Sequence, residues 1–218
     1  MTLPVLYEDA YLLAIHKPEG LAAIPERNPA HPSARQLLET ARDERLFVVH
    51  RLDKEASGIL LFARTPETHR YLNELFAARR VHKIYRALVH GRVASMQGQI
   101  QAPIRAFGSG RMGVDFQRGK LSETRYRVLE YVGEAYTLLE LSPLTGRRHQ
   151  IRVHCYYLGH PIVGDIRYGE RAQQQPFPRL MLHALRLRFR HPEGHELELT
   201  APEPESFQHV LDALRMSV

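Results

Sequence analysis

The sequence predicts an α+β fold with a mixed, mostly antiparallel central sheet and flanking helices. Two observations carry this expectation. Hairpin-like strand pairs and helices are interspersed, without the regular strand-helix alternation of a doubly wound sheet. The 218 residues, 44% hydrophobic and 25% charged, also supply one sizeable core, or two lobes sharing a sheet, rather than several independent domains. A single domain over residues 1–218 is therefore expected.

The elements follow in order. Val5–Tyr7 and Tyr11–Ile15 read as short strands around Glu8-Asp9, and Lys17-Pro18-Glu19-Gly20 forces a turn. A stretch with Pro25, Pro29 and Pro32 leads to Ser33, a suitable N-cap for a helix to about Arg45 with Leu37, Leu38 and Ala41 at core spacing. Ile59–Phe62 reads as a buried strand, and Pro66 suits the first turn of a helix to about Arg80, its apolar face being Tyr71, Leu75 and Ala78. Ile84–Val89 is a strand with Tyr85 near its start. Residues 95–121 are rich in glycine and carry Arg105, Arg111, Arg118 and Lys120 against Asp115, which predicts a mobile basic hairpin or loop. Strands are expected at Glu123–Tyr131, Tyr136–Leu141, Arg179–Phe189 and Glu196–Leu199. Helices are expected over Gly146–Leu158, capped by Thr145 and stopped by Gly159, and over Glu205–Met216.

Charge narrows the partner class. The chain carries a formal +6, with 26 Arg against 4 Lys. Guanidinium groups fork onto phosphates and stack on bases, so phosphate-rich partners fit; a GC-rich genome that favours Arg codons accounts for the same bias equally well. No apolar run approaches the roughly 18 residues of a membrane span. The start, Met1-Thr2-Leu3-Pro4, lacks the pattern of a secretory signal, and Cys155 is the only cysteine. A cytoplasmic protein without disulfides or a thiolate metal cage is expected.

The segment His50-Arg51-Leu52-Asp53, after the apolar run Leu46–Val49, carries the first sign of chemistry. In an extended chain Arg51 and Asp53 face one way and Leu52 the other. An acid beside a fixed cation stays ionised, which suits a nucleophile or base and not a proton donor. Farther along, Arg147 and Arg148 fall in the first turn of the expected helix, where backbone amides attract anions, and Arg148 and Arg152 share a flank. A solvated basic face explains any one of these arginines as well. His149 and His154 are five apart and do not share a helix face, so no metal is expected. Neither a Gly-x-Ser-x-Gly elbow nor a phosphate loop is present.

One ionised Asp with no metal and no cofactor leads to a resemblance. HRLDKEASGILLFART at 50–65 resembles the catalytic motif of the RluA-type RNA pseudouridine synthases. HKPEG at 16–20, LTGRRHQIRVHCYYLGHPIVGD at 144–165 and LMLHA at 180–184 follow that family's order, with Tyr85 between the second and third blocks. The resemblance implies the family's catalytic fold with a central RNA-binding cleft. Asp53 is then the catalytic aspartate, Arg51 the side chain that enters the stack vacated by the base, and Tyr85 the ring that packs on the uracil. Arg152 pairs with the aspartate, Leu182 lines the pocket, and Lys17 with Pro18 supports the site, with Lys17 also expected to contact the substrate. His16 stands where relatives often have Asn. Relatives with an N-terminal RNA-binding module carry many residues before the first motif, so the resemblance implies a catalytic domain alone.

The physical demands agree. Isomerising uridine requires the base to leave its stack, at a cost of a few kcal/mol that a filling guanidinium and an aromatic partner offset. Asp53 either attacks the ribose or removes a proton from it, and the residues alone choose neither route. The expected function is isomerisation of specific uridines in structured RNA, transfer or ribosomal, by a monomer without membrane or obligatory protein partner. Arg105, Arg111 and Arg118 are expected to add RNA contacts. A non-catalytic RNA-binding or chaperone protein is the competing reading.

Overall fold

The computed structural model describes residues 2–26, 31–108 and 110–216; Pro29 lies outside them. In chain order the elements are β1 (Val5–Glu8), β2 (Leu12–Lys17), α1 (Ala34–Arg42), β3 (Phe47–Val48), β4 (Ser57–Ala63), α2 (Pro66–Ala77), β5 (His82–His90) and β6 (Gln97–Gln101). They continue with β7 (Ile104–Ala106), β8 (Met112–Val114), β9 (Glu123–Val132), β10 (Tyr136–Pro143), α3 (Gln150–Tyr157), α4 (Arg171–Gln174), β11 (Leu182–Arg190), β12 (Glu196–Thr200) and α5 (Glu205–Met216). The chain forms two compact units. The first holds Met1–Lys83 and Ala184–Glu203, the second Ile84–His183 and Pro204–Val218, so the division falls within β5 and within β11.

In the first unit β1 pairs with β2, β2 and β3 with β4, and the Arg186–Arg190 part of β11 with β12, all antiparallel. Every residue of β4 is buried, as expected of its unbroken apolar run. The Glu8-Asp9 turn is held by the Asp9 carboxylate, which accepts from the amides of Tyr11 and Leu12, from the Tyr7 hydroxyl and from His191. Ser33 caps α1 as expected, in a capping box with Gln36. Asp43 in the left-handed region then ends α1 at Arg42, short of Arg45, and Ala41 is exposed instead of packed. In α2 the buried stripe is Thr68, Leu72 and Leu75; Ala78, expected on that face, lies beyond the helix and is exposed. One core cluster joins Leu61, Leu72, Leu75, Leu187, Phe189 and Leu199.

In the second unit β5, β10, β9 and β6 pair antiparallel in that order, with Tyr85 opposite Leu141. Residues 95–121 depart from the expected mobile loop. Residues 97–101 are a sheet strand paired with β9, and β7 and β8 form their own hairpin. The hairpin orders because Ile104 packs with Val153 and Tyr168, a core that glycine content alone conceals. The helix expected from Gly146 begins at Gln150. His149, at φ 53°, blocks extension backwards, and Thr145 is not its cap. Instead Thr145 Oγ1 donates to Gln150 Oε1 and accepts from the Glu123 amide, tying the Gly146–His149 turn to β9. The short helix α4 was not foreseen. Among the described residues no helix is long and apolar enough to cross a membrane.

Gly58 marks a tight point of the first unit. Its φ is +118°, and a Cβ there would lie 2.2 Å from the Ala184 carbonyl oxygen. Gly58→Ala is expected to cost about 3 kcal/mol or more, seen as loss of soluble protein or a much lower urea midpoint. An unchanged midpoint would remove this constraint.

Candidate active site

In the first unit the chain leaves β3 irregularly through residues 49–53. Arg51 is exposed, Leu52 buried and Asp53 half-buried, the alternation expected of an extended run. Asp53 closes into a turn in which its carbonyl accepts from the Ala56 amide. Beneath this turn lies Lys17, fully buried at the end of β2. Its Nζ donates to the carbonyls of Pro18, Leu21 and Lys54 at 2.7, 2.8 and 3.1 Å. The Lys54 carbonyl also accepts from the Gly20 amide. Lys17 thus supports the site by fastening the HKPEG turn to the residue after Asp53. A buried ammonium of this kind contacts backbone and not RNA phosphates, which replaces the expected substrate contact.

His50 has a definite task. The Leu61 amide donates to its Nε2 at 3.0 Å, which places the ring proton on Nδ1, and the ring stacks on Phe76 with centroids 5.4 Å apart. Desolvation, then the charge of Lys83, pulls its pKa down to about 4. Desolvation likewise lowers Lys83 to about 8. Lys83 is one of only 4 Lys beside 26 Arg in the chain.

In the second unit Tyr85 sits half-buried on β5. Leu182 is buried at the start of β11, where backbone bonds from Leu88 to Met181, from Met181 to Val163 and from Val163 to Leu88 fix the approach. Arg152 is buried, not part of a solvated flank. Its Nε and Nη2 donate to the two carboxylate oxygens of Asp165, each at 2.8 Å, and its guanidinium lies over the Tyr168 ring. Asp165 Oδ1 also accepts from the amides of Arg167 and Tyr168. Asp165 is the last residue of the 144–165 block, and the turn at Gly164 is what brings it under Arg152. Arg148 is exposed and precedes α3, so the first-turn argument for Arg147 and Arg148 does not apply.

The basic segment is only partly available to phosphate. Arg111 and Arg118 are exposed. Arg105 pairs with Asp115 at 2.6 Å and lies over Phe107. The amides of Arg118 and Gln117, then Arg105, hold the Asp115 carboxyl below the usual range. Cys155 is buried, and desolvation, then the charge of Asp165, pushes its thiol up to about 12. His154 is tied to Thr124 and the Ala102 carbonyl, so it holds strands together. His191, Glu193 and His195 bring one donor atom each within 4.8 Å of one another, but the buried His191 is already held by Asp9 at 2.7 Å.

Comparison with known proteins gives the family. Residues 11–157 match the family described as RNA pseudouridylate synthase. The chain belongs to that family. It is 39% identical to "Ribosomal large subunit pseudouridine synthase C" of Vibrio vulnificus (strain CMCP6), over 98% of this chain and 70% of the relative. It is also 39% identical to "Dual-specificity RNA pseudouridine synthase RluA" of Vibrio cholerae serotype O1, over 89% of this chain and 80% of the relative. Among solved structures it is similar to "Human RNA Pseudouridylate Synthase Domain Containing 1", with TM-score 0.80 and 30% identity over 98% of this chain and 95% of that one. The RluA-type resemblance, the α+β fold and the isomerase class therefore stand: the reaction converts uridine to pseudouridine in RNA.

Two outcomes follow from this geometry. Asp165→Ala removes the bidentate partner of the buried Arg152 charge and is expected to lower stability by about 3–5 kcal/mol in urea denaturation; a loss below about 1 kcal/mol would deny the pair that importance. The folded chain keeps His50 neutral to about pH 4, whereas the unfolded chain takes up a proton near pH 6.5. The associated stability is complete above pH 6.5 and falls as pH drops towards 4, by at most about 3 kcal/mol. His50→Gln should flatten the fall in urea midpoint between pH 7 and pH 4.5; an unaltered slope counts against it.

Proposed function

We propose that this chain isomerises specific uridines in structured RNA, ribosomal or transfer, in the cytoplasm, as a monomer needing neither metal nor cofactor. The names of the two Vibrio relatives supply the ribosomal and dual-specificity readings of the target. Asp53 carries the bond chemistry. The observation behind this assignment is the half-buried Asp53 turn, fastened through the Lys54 carbonyl by the buried Lys17 Nζ.

The reaction breaks the bond between ribose C1′ and uracil N1, joins C1′ to C5, removes the C5 proton and leaves a proton on N1. A positioned carboxylate serves at the ribose either as nucleophile or as base. Arg51 fills the stack the uridine leaves, Tyr85 offers its ring to the uracil, and Leu182 supplies apolar wall. Arg152, oriented by Asp165, is the cation assigned to the aspartate. Arg148, Arg111 and Arg118 add phosphate contacts, and Arg105 does so less because Asp115 engages it.

Asp53→Asn tests the assignment on RNA from a strain lacking this protein. Pseudouridine formation should fall by about 10²–10⁴-fold or more while RNA binding persists. Undiminished turnover would overturn the role of Asp53. RNA binding with no product from the wild type would favour a non-catalytic protein.

A further inference from the structure

The second unit contains a cavity of about 380 Å³ that the catalytic assignments leave unused. Its walls come from the β7–β8 hairpin, through Phe107, Arg111, Met112 and Val114, and from α3, through Val153, Tyr156 and Tyr157. Tyr168 completes it. Neither Tyr85 nor Leu182 lines it, so it is not the pocket assigned to the target uracil.

Its chemistry is specific. Tyr156 and Tyr157 are each about half exposed, at 50% and 51%, although both belong to a helix otherwise well buried. Phe116, 66% exposed, approaches the Tyr157 ring at 6.2 Å. The Arg111 guanidinium lies 5.8 Å from the Tyr156 centroid and 5.3 Å from that of Tyr168. Half-exposed aromatic rings beside an exposed guanidinium are the combination that holds an unstacked base and its phosphate, because every base has a π-face and Arg both stacks and pairs with phosphate. The volume lies in the ~300–1,000 Å³ range of small-ligand sites, which accommodates a nucleobase with its ribose. Tyr168 is shared: Arg152 and Arg111 both lie 5.3 Å from its ring, and its hydroxyl accepts from the Met112 amide. The hairpin is thereby attached to the side chain that holds Arg152.

We infer that this cavity is a second base-binding subsite, which takes one unstacked nucleotide of the substrate RNA other than the target uridine. The inference rests on RNA being the substrate, and it gives substrate choice a physical basis: only RNA that presents a second unstacked base at the right separation fills both places. Stacking on an aromatic face contributes about 1–3 kcal/mol per base, so about 5- to 150-fold in affinity is at stake, and one ring of the pair accounts for the lower end of that range.

The test uses the full chain carrying Asp53→Asn, with two probes of about nine nucleotides: oligouridylate, and the matching ribose-phosphate oligomer without bases. Phosphate contacts are common to both, so their affinity ratio at fixed salt reads base contacts, and its change between variants reads those made at the substituted ring. The ratio should fall about five- to tenfold in Tyr156→Ala and in Tyr157→Ala and hold in Tyr157→Phe, with the abasic probe bound equally by all. An unchanged ratio in both alanine variants, or equal loss for both probes, overturns the subsite. Pseudouridine formation by the wild type is scored separately. An inactive wild type with the full ratio effect would sink the synthase reading and leave the subsite standing; an active one without the effect would sink the subsite alone.

Discussion

The placement of Asp53 depends on a buried lysine. An ammonium withdrawn from water is tolerable only where hydrogen bonds replace its hydration, and Lys17 finds backbone carbonyls on both the HKPEG turn and the turn after Asp53. Two loops distant in sequence therefore share one donor and cannot move independently of it. The chain around Asp53 has almost no regular structure of its own, since β3 spans only Phe47–Val48. Its order comes from Lys17, from Leu52 in the core and from His50 accepting the Leu61 amide. Arginine would serve poorly in place of Lys17, because its planar fork does not match three carbonyls converging on a point.

The second unit solves the complementary problem of holding a guanidinium still. Arg152 and Asp165 form a bidentate pair at 2% and 0% side-chain exposure. Such a pair adds little net stability against an apolar alternative but is costly to break. Its worth is orientation. Asp165 spends its remaining capacity on the amides of Arg167 and Tyr168, which ties the Arg152 partner to the chain that carries Tyr168.

Elements with strong local signals were legible from sequence. The Ser33 cap, Pro66 at the start of α2, the buried run of β4 and the closing helix α5 all follow from capping chemistry and periodicity. The errors lie where distant contacts override local pattern. Thr145 reads as a helix cap, yet β9 claims its hydroxyl, and His149 takes the left-handed conformation that starts α3 late. The glycines of residues 95–121 suggest mobility, yet Ile104 finds a core with Val153 and Tyr168. At the site, the alternation of Arg51, Leu52 and Asp53 was readable in four letters. Lys17 was readable as a support through the HKPEG block, but its partner was not, because Lys54 contributes only a carbonyl; in the second unit Asp165 acquires meaning only once Gly164 turns the chain.

The sealed environment of Cys155 has a practical consequence. The only thiol of the chain is buried and holds its proton to about pH 12, so thiol reagents and mild oxidants at neutral pH find nothing to attack in the folded protein. A cysteine introduced on the exposed hairpin side, for example at Leu121, 76% exposed, would be a unique attachment point. A spectroscopic label there could report on the hairpin during RNA binding without first removing a native cysteine, and so without opening a hole beside Arg152 and Asp165.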